Sequence, residues 1–260
     1  MFTSTTGPRA VVLGLCACMT LGSAASADRL RVTITNHQAA DGLFLTPLLA
    51  AFHDGTYDAF DPGAAADAGL EAIAEGGDPS AEIAANPGRN FTVIASPGGF
   101  AGAPVIDPGE SASVLIDVDA LTERYFSFLS MVIPSNDYFI GNADPMGHAV
   151  FDASGAFLGA SIAILGADVW DAGTEVSDGA GAAFSTDGGA DADQGGTVAP
   201  AGSLAALIGV GIPTGASIGS VPGAADLFAS IEVSRVPLPG ALPLMAAALG
   251  GLGLMRRKRA

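Results

Sequence analysis

The chain has 260 residues, of which 27 are Asp or Glu and 10 are Lys or Arg, and its formal net charge at pH 7 is −17. All of the acids lie between Asp28 and Glu232, and residues 28–235 contain five arginines and no lysine, so this segment carries 5 − 27 = −22. A surface of that sign repels nucleic acid and anionic lipid, which excludes both as partners and favours metal cations, a saline medium or a basic partner.

The first 27 residues have the organisation of a secretory signal peptide. Arg9 is a lone positive charge, residues 10–21 are apolar, and residues 25–27 read Ala-Ser-Ala, a small-x-small cleavage site. Both cysteines, Cys16 and Cys18, fall inside this leader. The mature chain is therefore expected to contain no disulfide and no thiol chemistry.

Residues 28–235 read as one domain of short strands. Alternation of apolar and polar side chains, or short apolar runs bounded by Gly, Pro and Asp, predicts strands at 30–36, 91–95, 113–118, 125–133, 149–151, 161–165 and 229–236. Residues 43–52 are interrupted by Pro47, which favours loop and strand over helix. The best helix candidate is 64–75, ended by Gly76 and Gly77, and 79–85 could add a short turn. The pattern predicts an all-β fold, an antiparallel β-sandwich with one or two short helices.

Two strand-end loops carry the candidate chemistry. Residues 169–175 read Val-Trp-Asp-Ala-Gly-Thr-Glu and hold the only Trp, and residues 134–141 read Pro-Ser-Asn-Asp-Tyr-Phe-Ile-Gly. A turn at Gly173 would bring carboxylates together, and converging hard oxygens are what calcium prefers. We therefore predict a calcium site formed by Asp137, Asp171 and Glu175. The same residues are also compatible with two ordinary solvated acidic loops.

Three carboxylates cannot complete the six to eight oxygens that calcium takes, so backbone carbonyls near Tyr138 and water are expected to supply the rest. Asp168 is a reserve ligand. Zinc would favour His or Cys, and neither lies near these residues in the sequence. His53 is expected to be a hydrogen-bonded core residue.

Residues 177–196 are rich in Gly, Ala and Asp and predict a long, mobile acidic loop. Asp187, Asp191 and Asp193 could hold a loose second cation, but their spacing lacks the order of an EF-hand loop. A solvated loop is the favoured interpretation.

Residues 236–260 differ in character from the preceding domain. They open Val-Pro-Leu-Pro, continue as an apolar span at 241–255 and end in the basic cluster 256–259. This segment resembles the C-terminal sorting signals of the PEP-CTERM class, in the VPLPA variant. The resemblance implies transient membrane contact, processing by an exosortase-type enzyme and export across the inner membrane of a Gram-negative bacterium to the cell surface. A permanent tail anchor is the alternative.

Several short pieces, in order, resemble the spondin N-terminal domain family of secreted proteins. They lie at residues 35–38, 51–60, 69–78, 108–110, 135–141, 170–175 and 228–233. The resemblance implies a sandwich similar to calcium- and lipid-binding domains, with a calcium ion held by acids of the two loops described above. Glu175 stands where animal members usually have Asp. It also implies a role in cell-surface or matrix recognition.

Enzymatic functions fit less well. Residues 215–219 match Gly-x-Ser-x-Gly, but Pro213 precedes them and no His follows His148, so a nucleophile elbow is not expected. With one Trp and three Tyr, an aromatic-lined cleft for a carbohydrate-active enzyme is not evident. The sequence therefore predicts a non-enzymatic, calcium-binding adhesion module with an unidentified protein or polysaccharide partner. The alternative is a structural component of an exopolysaccharide or biofilm matrix.

Overall fold

A four-stranded antiparallel sheet joins the two ends of the domain. The computed structural model describes residues 27–96 and 103–236. The strands of this sheet are β1 (Asp28–Asn36), β5 (Ser111–Val118), β8 (Ala160–Leu165) and β11 (Leu227–Arg235), and their spatial order is β5-β1-β11-β8. The first and last strands of the domain pair directly, with Leu30 opposite Arg235 and Asn36 opposite Ala229.

The second sheet has seven strands and carries the candidate site at one end. Its strands are β2 (Phe44–Leu45), β3 (Leu48–His53), β4 (Asn90–Ile94), β6 (Tyr125–Ile133), β7 (Tyr138–Gly141), β9 (Val169–Asp171) and β10 (Ala199–Pro200). Their spatial order is β10-β9-β7-β6-β3-β4, and β2 pairs with β6 off this path. The central strand β6 is buried along nearly its whole length, as an apolar run covered on both faces should be.

The main core lies between the two sheets. Alternate residues of β1 and β11 point into it, among them Val32, Ile34 and Ile231, and they meet Phe52, Phe126 and other residues of the larger sheet. This is the inward-facing half of the alternation that the sequence shows. Because the apolar face of each sheet is covered by the other, the two sheets form a sandwich.

A second core covers the outer face of the larger sheet. Helix α1 (Ala68–Gly76) packs Leu70 and Ile73 there, together with Phe60 and Phe139. The helix begins where the Asp67 carboxylate accepts hydrogen bonds from the N–H groups of residues 69 and 70, at 3.0 and 2.9 Å. A shorter helix, α2 (Ser80–Ala85), follows it. The larger sheet is thus covered on both faces.

The predicted all-β sandwich with one or two short helices is confirmed. Three details differ. Helix α1 begins at Ala68 because the Asp67 cap fixes its start. Residues 149–151 form isolated bridges in place of a strand. Residues 204–207 add a 3-10 helix for which no prediction was made. No helix within the described ranges is both long and apolar enough to cross a bilayer. Apart from residues 27 and 236, the predicted leader (1–27) and sorting signal (236–260) lie outside those ranges.

Helix α1 ends in a pair of glycines that offer a matched test. Gly77 has φ 67°, and a Cβ there would stand 2.4 Å from Cγ2 of Thr46, whereas a Cβ at Gly76 would meet nothing within 4 Å. Gly77→Ala should therefore destabilise the domain by about 2–4 kcal/mol, through left-handed backbone strain and overpacking. Gly76→Ala should stabilise it by about 0.5–1 kcal/mol. Urea unfolding measures both, and equal effects would contradict this account of the helix end.

Candidate cation site where two strands end

The loop before β7 is built from three consecutive buried polar residues. Ser135, Asn136 and Asp137 are all 1% exposed or less. The Ser135 hydroxyl donates to the carbonyl of Val132 at 2.5 Å and accepts from the N–H of Tyr138 at 2.9 Å, which closes the turn. Buried polar groups must find partners, and the remaining two side chains find theirs in the opposing loop.

Asn136 and Asp137 hold that opposing loop by its backbone. Oδ2 of Asp137 accepts from the N–H groups of Thr174 and Glu175 at 2.9 and 3.1 Å, and Oδ1 accepts from the Ser177 hydroxyl at 3.1 Å. Oδ1 of Asn136 accepts from the N–H of residue 179 at 2.8 Å, and its Nδ2 donates to the carbonyl of residue 180 at 2.9 Å. Asp137 is therefore an anchor for residues 174–177 as well as a carboxylate of the candidate site.

Asp171 lies directly against Asp137. It pairs with Tyr138 across β7 and β9, and its carboxyl group is within hydrogen-bonding reach of the Asp137 carboxyl group. Burial, then the charge of Asp137, raise the pKa of Asp171 to about 6, although the N–H of Gly173 donates to its Oδ1 at 2.7 Å. The turn at Gly173 forms as predicted, with φ 71°. Two carboxylates that face each other without a cation resist being ionised together.

Glu175 faces a different group of acids. Its side chain is 7% exposed. Burial, hydrogen-bonding proximity of the Asp191 carboxyl group and the charge of Glu75 raise its pKa to about 7, while a hydrogen bond with Asn136 acts in the opposite direction. The pKa of Glu75, at the end of α1, is also raised, first by burial and then by the charges of Glu71, Asp137 and Asp191. Within the described part of the chain, the acids around Glu175 therefore also form no ion pair with a basic side chain.

The structure thus brings the three predicted ligands into one region but in two pairs. Asp137 meets Asp171, and Glu175 meets Asp191. Within the described residues, no group of three or more His, Cys, Asp or Glu side chains is already arranged to hold a metal ion. The carbonyl of Asp137 accepts from the N–H of Ala172 at 3.1 Å. As they stand, the donors suit a hard cation in chemistry but are not gathered around one point.

The sequence interpretation missed Glu75 and Asp191 as members of this region. Glu75 lies on α1, about one hundred residues before its neighbour, so only its place on the outer face of the sheet brings it there. Asp191 arrives because residues 192–196 fold back along 173–176: the Val176 N–H donates to the carbonyl of residue 192 at 2.9 Å, and that of Gln194 to the Thr174 carbonyl at 2.8 Å. The sequence predicts a long, mobile loop for this segment and gives no sign of this fold-back.

Of the remaining candidate acids, Asp193 pairs with Glu175 in an isolated bridge, whereas Asp168 and Asp187 lie elsewhere. Oδ2 of the reserve ligand Asp168 accepts from the N–H of Leu165 at 2.8 Å, and Oδ1 of Asp187 accepts from the N–H of Gly211 at 2.9 Å. His53 is buried as expected; it accepts from the N–H of Gly55 at Nδ1, so its Nε2 donates to Ser127 at 3.0 Å. Burial, more than the charge of Arg89, lowers its pKa to about 4, which keeps it neutral.

The Gly-x-Ser-x-Gly stretch does not adopt a nucleophile elbow. Its serine, Ser217, is exposed and pairs in an isolated bridge with Gly211. No helix lies between it and the start of β11 at Leu227, a segment that the structure describes throughout. A nucleophile elbow requires a strand before the serine and a helix after it.

Comparison of the chain with protein-family models gave no match. Comparison with curated proteins likewise gave no match.

The anchoring role of Asp137 can be tested in the presence of a chelator. Asp137→Ala leaves the N–H groups of Thr174 and Glu175 without their acceptor in a buried place, and each such group costs about 1–3 kcal/mol. The variant should lose about 2–4 kcal/mol of unfolding free energy in urea. Asp168→Ala, which removes one acceptor at an exposed position, should lose about 1 kcal/mol or less. A loss at Asp137 no larger than that at Asp168 would contradict the anchor.

The raised pKa of Asp171 predicts the direction in which the stability of the protein changes with pH. The folded state holds this proton more tightly than the unfolded state, so the contribution of Asp171 to stability falls as pH rises from about 4 to about 6. The side chain of Asp171→Asn cannot titrate. With chelator present, the unfolding free energy of this variant should rise by about 1–2 kcal/mol relative to the wild type across that pH range, a figure discounted for partial exposure.

Asp152→Asn is the control of opposite sign. Hydrogen bonds from the side chain of Ser154 and the N–H groups of residues 154 and 156 lower the pKa of Asp152. The unfolding free energy of the wild type should therefore increase relative to that of this variant as pH rises through the acid range. Urea unfolding at pH 4, 5, 6 and 7 measures both variants. If the unfolding free energies of the wild type and Asp171→Asn change in parallel with pH, there is no repulsion between the carboxylates of Asp137 and Asp171.

Proposed function

We propose that this protein is an exported, calcium-binding module for cell-surface or extracellular-matrix recognition, without catalytic activity of its own. The observation that carries the proposal is the unneutralised meeting of Asp137, Asp171, Glu175, Glu75 and Asp191 where two loops adjoin. The pKa values of Asp171 and Glu175 are raised to about 6 and about 7, so both carboxyl groups would be stabilised as anions by a cation.

Calcium fits the donor chemistry better than other common metal ions. All the side chains that meet there offer oxygen, and calcium tolerates irregular sets of carboxylates, carbonyls and water. Zinc and copper favour His or Cys, and neither is among these residues. In this proposal Asp137, Asp171 and Glu175 hold the ion, and Glu175 exchanges its contact with Asp191 for the metal. The ion supplies positive charge that offsets the repulsion between the two loops.

The recognition role rests on the order of spondin-like pieces along the chain, and export rests on residues 1–27 and 236–260. In this account the exosortase-type processing of the C-terminal segment releases the domain at the cell surface. The structural alternative is a component of an exopolysaccharide or biofilm matrix with no protein partner, and it predicts that no defined protein is retained. A pull-down from cell envelopes, with calcium and with chelator, should retain a defined partner only with calcium if the recognition role is correct.

Calcium binding itself has a direct test on the exported protein. Binding to the folded state alone stabilises by RT ln(1 + [L]/Kd), about 2.7 kcal/mol at a hundredfold excess over Kd. Melting temperature should rise with millimolar calcium and fall back with chelator, and calorimetry should show one ion bound. Asp171→Asn should blunt the rise, whereas Asp152→Asn, whose carboxylate belongs to a separate exposed turn, should leave it unchanged.

Two results would contradict the proposal. One is the absence of calcium heat in calorimetry together with melting that is indifferent to chelator. The other is an equal calcium response in wild type and in Asp171→Asn. Either would leave two acidic loops whose carboxylates are balanced by protons and water.

A further inference from the structure

A cleft of about 340 Å³ opens at the corner where the chain crosses between the two sheets. At this corner β8 of the smaller sheet ends, the 3-10 helix Gly166–Asp168 turns, and β9 of the larger sheet begins. The volume falls in the range of about 300–1,000 Å³ that is usual for small-molecule sites. Its side chains that bear on binding are Phe128, Asn142, Asp144, His148, Asp168 and Trp170.

Aromatic rings form part of the cleft's lining. Trp170, the only tryptophan of the chain, is half-buried in the lining, and its ring meets Phe60 at 5.2 Å in an edge arrangement. Phe128 lies beneath His148, with ring centroids 6.0 Å apart. These contacts support the rings from the protein side and leave the half-buried Trp170 at the cleft. A ring so held offers a flat apolar surface at low cost in side-chain entropy.

Hydrogen-bonding groups stand beside these rings. Oδ1 of Asp144 accepts from the N–H of Met146 at 2.8 Å, and Oδ2 of Asp168 accepts from the N–H of Leu165 at 2.8 Å. The second oxygen of each carboxylate takes part in no hydrogen bond with the described residues. Burial lowers the pKa of His148, which keeps the ring neutral with one N–H donor and one acceptor nitrogen.

Asn142 fixes the position of the loop that carries Asp144 and His148. Its Oδ1 accepts from the N–H of Phe128 at 3.0 Å, and its Nδ2 donates to the Ser127 hydroxyl at 3.0 Å and to the Asp144 carbonyl at 2.9 Å. All of these bonds are internal, so Asn142 is a positioning residue. The cleft therefore has a set shape before any ligand arrives.

We propose that this cleft binds one neutral sugar unit of an extracellular glycan. A pyranose ring has an apolar C–H face that can lie on Trp170, and it has hydroxyl groups around its edge that can donate to Asp144 and Asp168. His148 can donate to or accept from a further hydroxyl. The lining carries two carboxylates and no Lys or Arg, so an acidic sugar is disfavoured.

The inference deepens the proposed recognition role by naming its partner class, and it rests on that role for access to extracellular glycans. It does not rest on the ion. Asp171 and the acid cluster begin where Tyr138 opens β7, whereas the cleft lies past Gly141, at the other end of that strand. The two regions can therefore succeed or fail separately.

Intrinsic fluorescence of the full chain is a local probe, because Trp170 is its only tryptophan. The probes are methyl glycosides of glucose, galactose, mannose and N-acetylglucosamine, with galacturonic acid and choline as charged comparisons, each titrated with calcium and with chelator. At least one neutral glycoside should change the Trp170 emission in a saturable way. Galacturonic acid should bind at least tenfold more weakly than that glycoside, and choline should not compete with it.

Variants separate a built site from a general surface effect. Asp144→Asn keeps the bond from Met146 but weakens acceptance from a sugar hydroxyl, and the dissociation constant should rise about tenfold. Trp170→Leu should abolish retention on the same sugar immobilised on beads, with circular dichroism and melting confirming the fold. Asp119→Asn, in a turn outside the cleft, should bind as the wild type does.

The outcomes distinguish this inference from the calcium proposal. Sugar binding that is equal with calcium and chelator supports the cleft whatever the fate of the ion. Calcium binding without any response to the four glycosides overturns the sugar inference and leaves the cation site standing. Binding of choline or galacturonic acid alone, or unchanged retention by Trp170→Leu, also overturns it.

Discussion

The buried carboxylate of Asp137 is the contact on which the candidate site depends. It ties the turn before β7 to the loop after β9 through backbone N–H groups, and it is 0% exposed. A hydrogen bond to an ionised acceptor is about twice as strong as a neutral one, so the two loops are held more firmly than their Gly-rich sequence suggests. Because Asp137 also lies beside Asp171, the bond that builds the site creates its electrostatic conflict.

That conflict belongs to a wider imbalance. Among the described residues three pairs lie within ion-pair distance, Arg29 with Asp117, Arg89 with Asp54 and Arg235 with Asp28, and each is partly exposed. Such pairs contribute about 1 kcal/mol or less each. The sandwich is therefore stabilised by its two apolar cores, and the surplus of acids is balanced by the medium and by any cation that it supplies.

Much of the fold could be predicted because its strands obey local rules. The alternation in β1 and β11 corresponds to strands with one buried face, and the apolar run of β6 corresponds to a strand with both faces buried. Pro47 separates β2 from β3. Residues 149–151 were misassigned as a strand. Their apolar side chains fill the core from isolated bridges, and the spacing of apolar residues along the chain does not distinguish this from a strand. Loops 134–141 and 169–175 do meet, since β7 and β9 pair with one another.

The inner arrangement of the site could not be predicted. Spacing places Asp171 and Glu175 in one loop, but the direction of each side chain follows from its partners: the turn at Gly173, and the contacts of Glu175 with Asn136 and Asp191. The cleft was also missed, since counting aromatic residues gives no sign that Trp170 and Phe128 line the same corner.

The sheet-crossing corner sets where the chain can change in length. The N–H of Gly166 donates to the carbonyl of Asp226 at 3.0 Å, and a Cβ on Gly166 would stand 2.4 Å from the carbonyl oxygen of Gly223, so backbone touches backbone there. An added residue would also exchange the faces to which Val169 and Trp170 point. Around Gly188, within the acidic loop, the neighbouring space is open, and loop closure costs rise slowly with length. Insertions are thus tolerated around Gly188 and forbidden at the sheet-crossing corner.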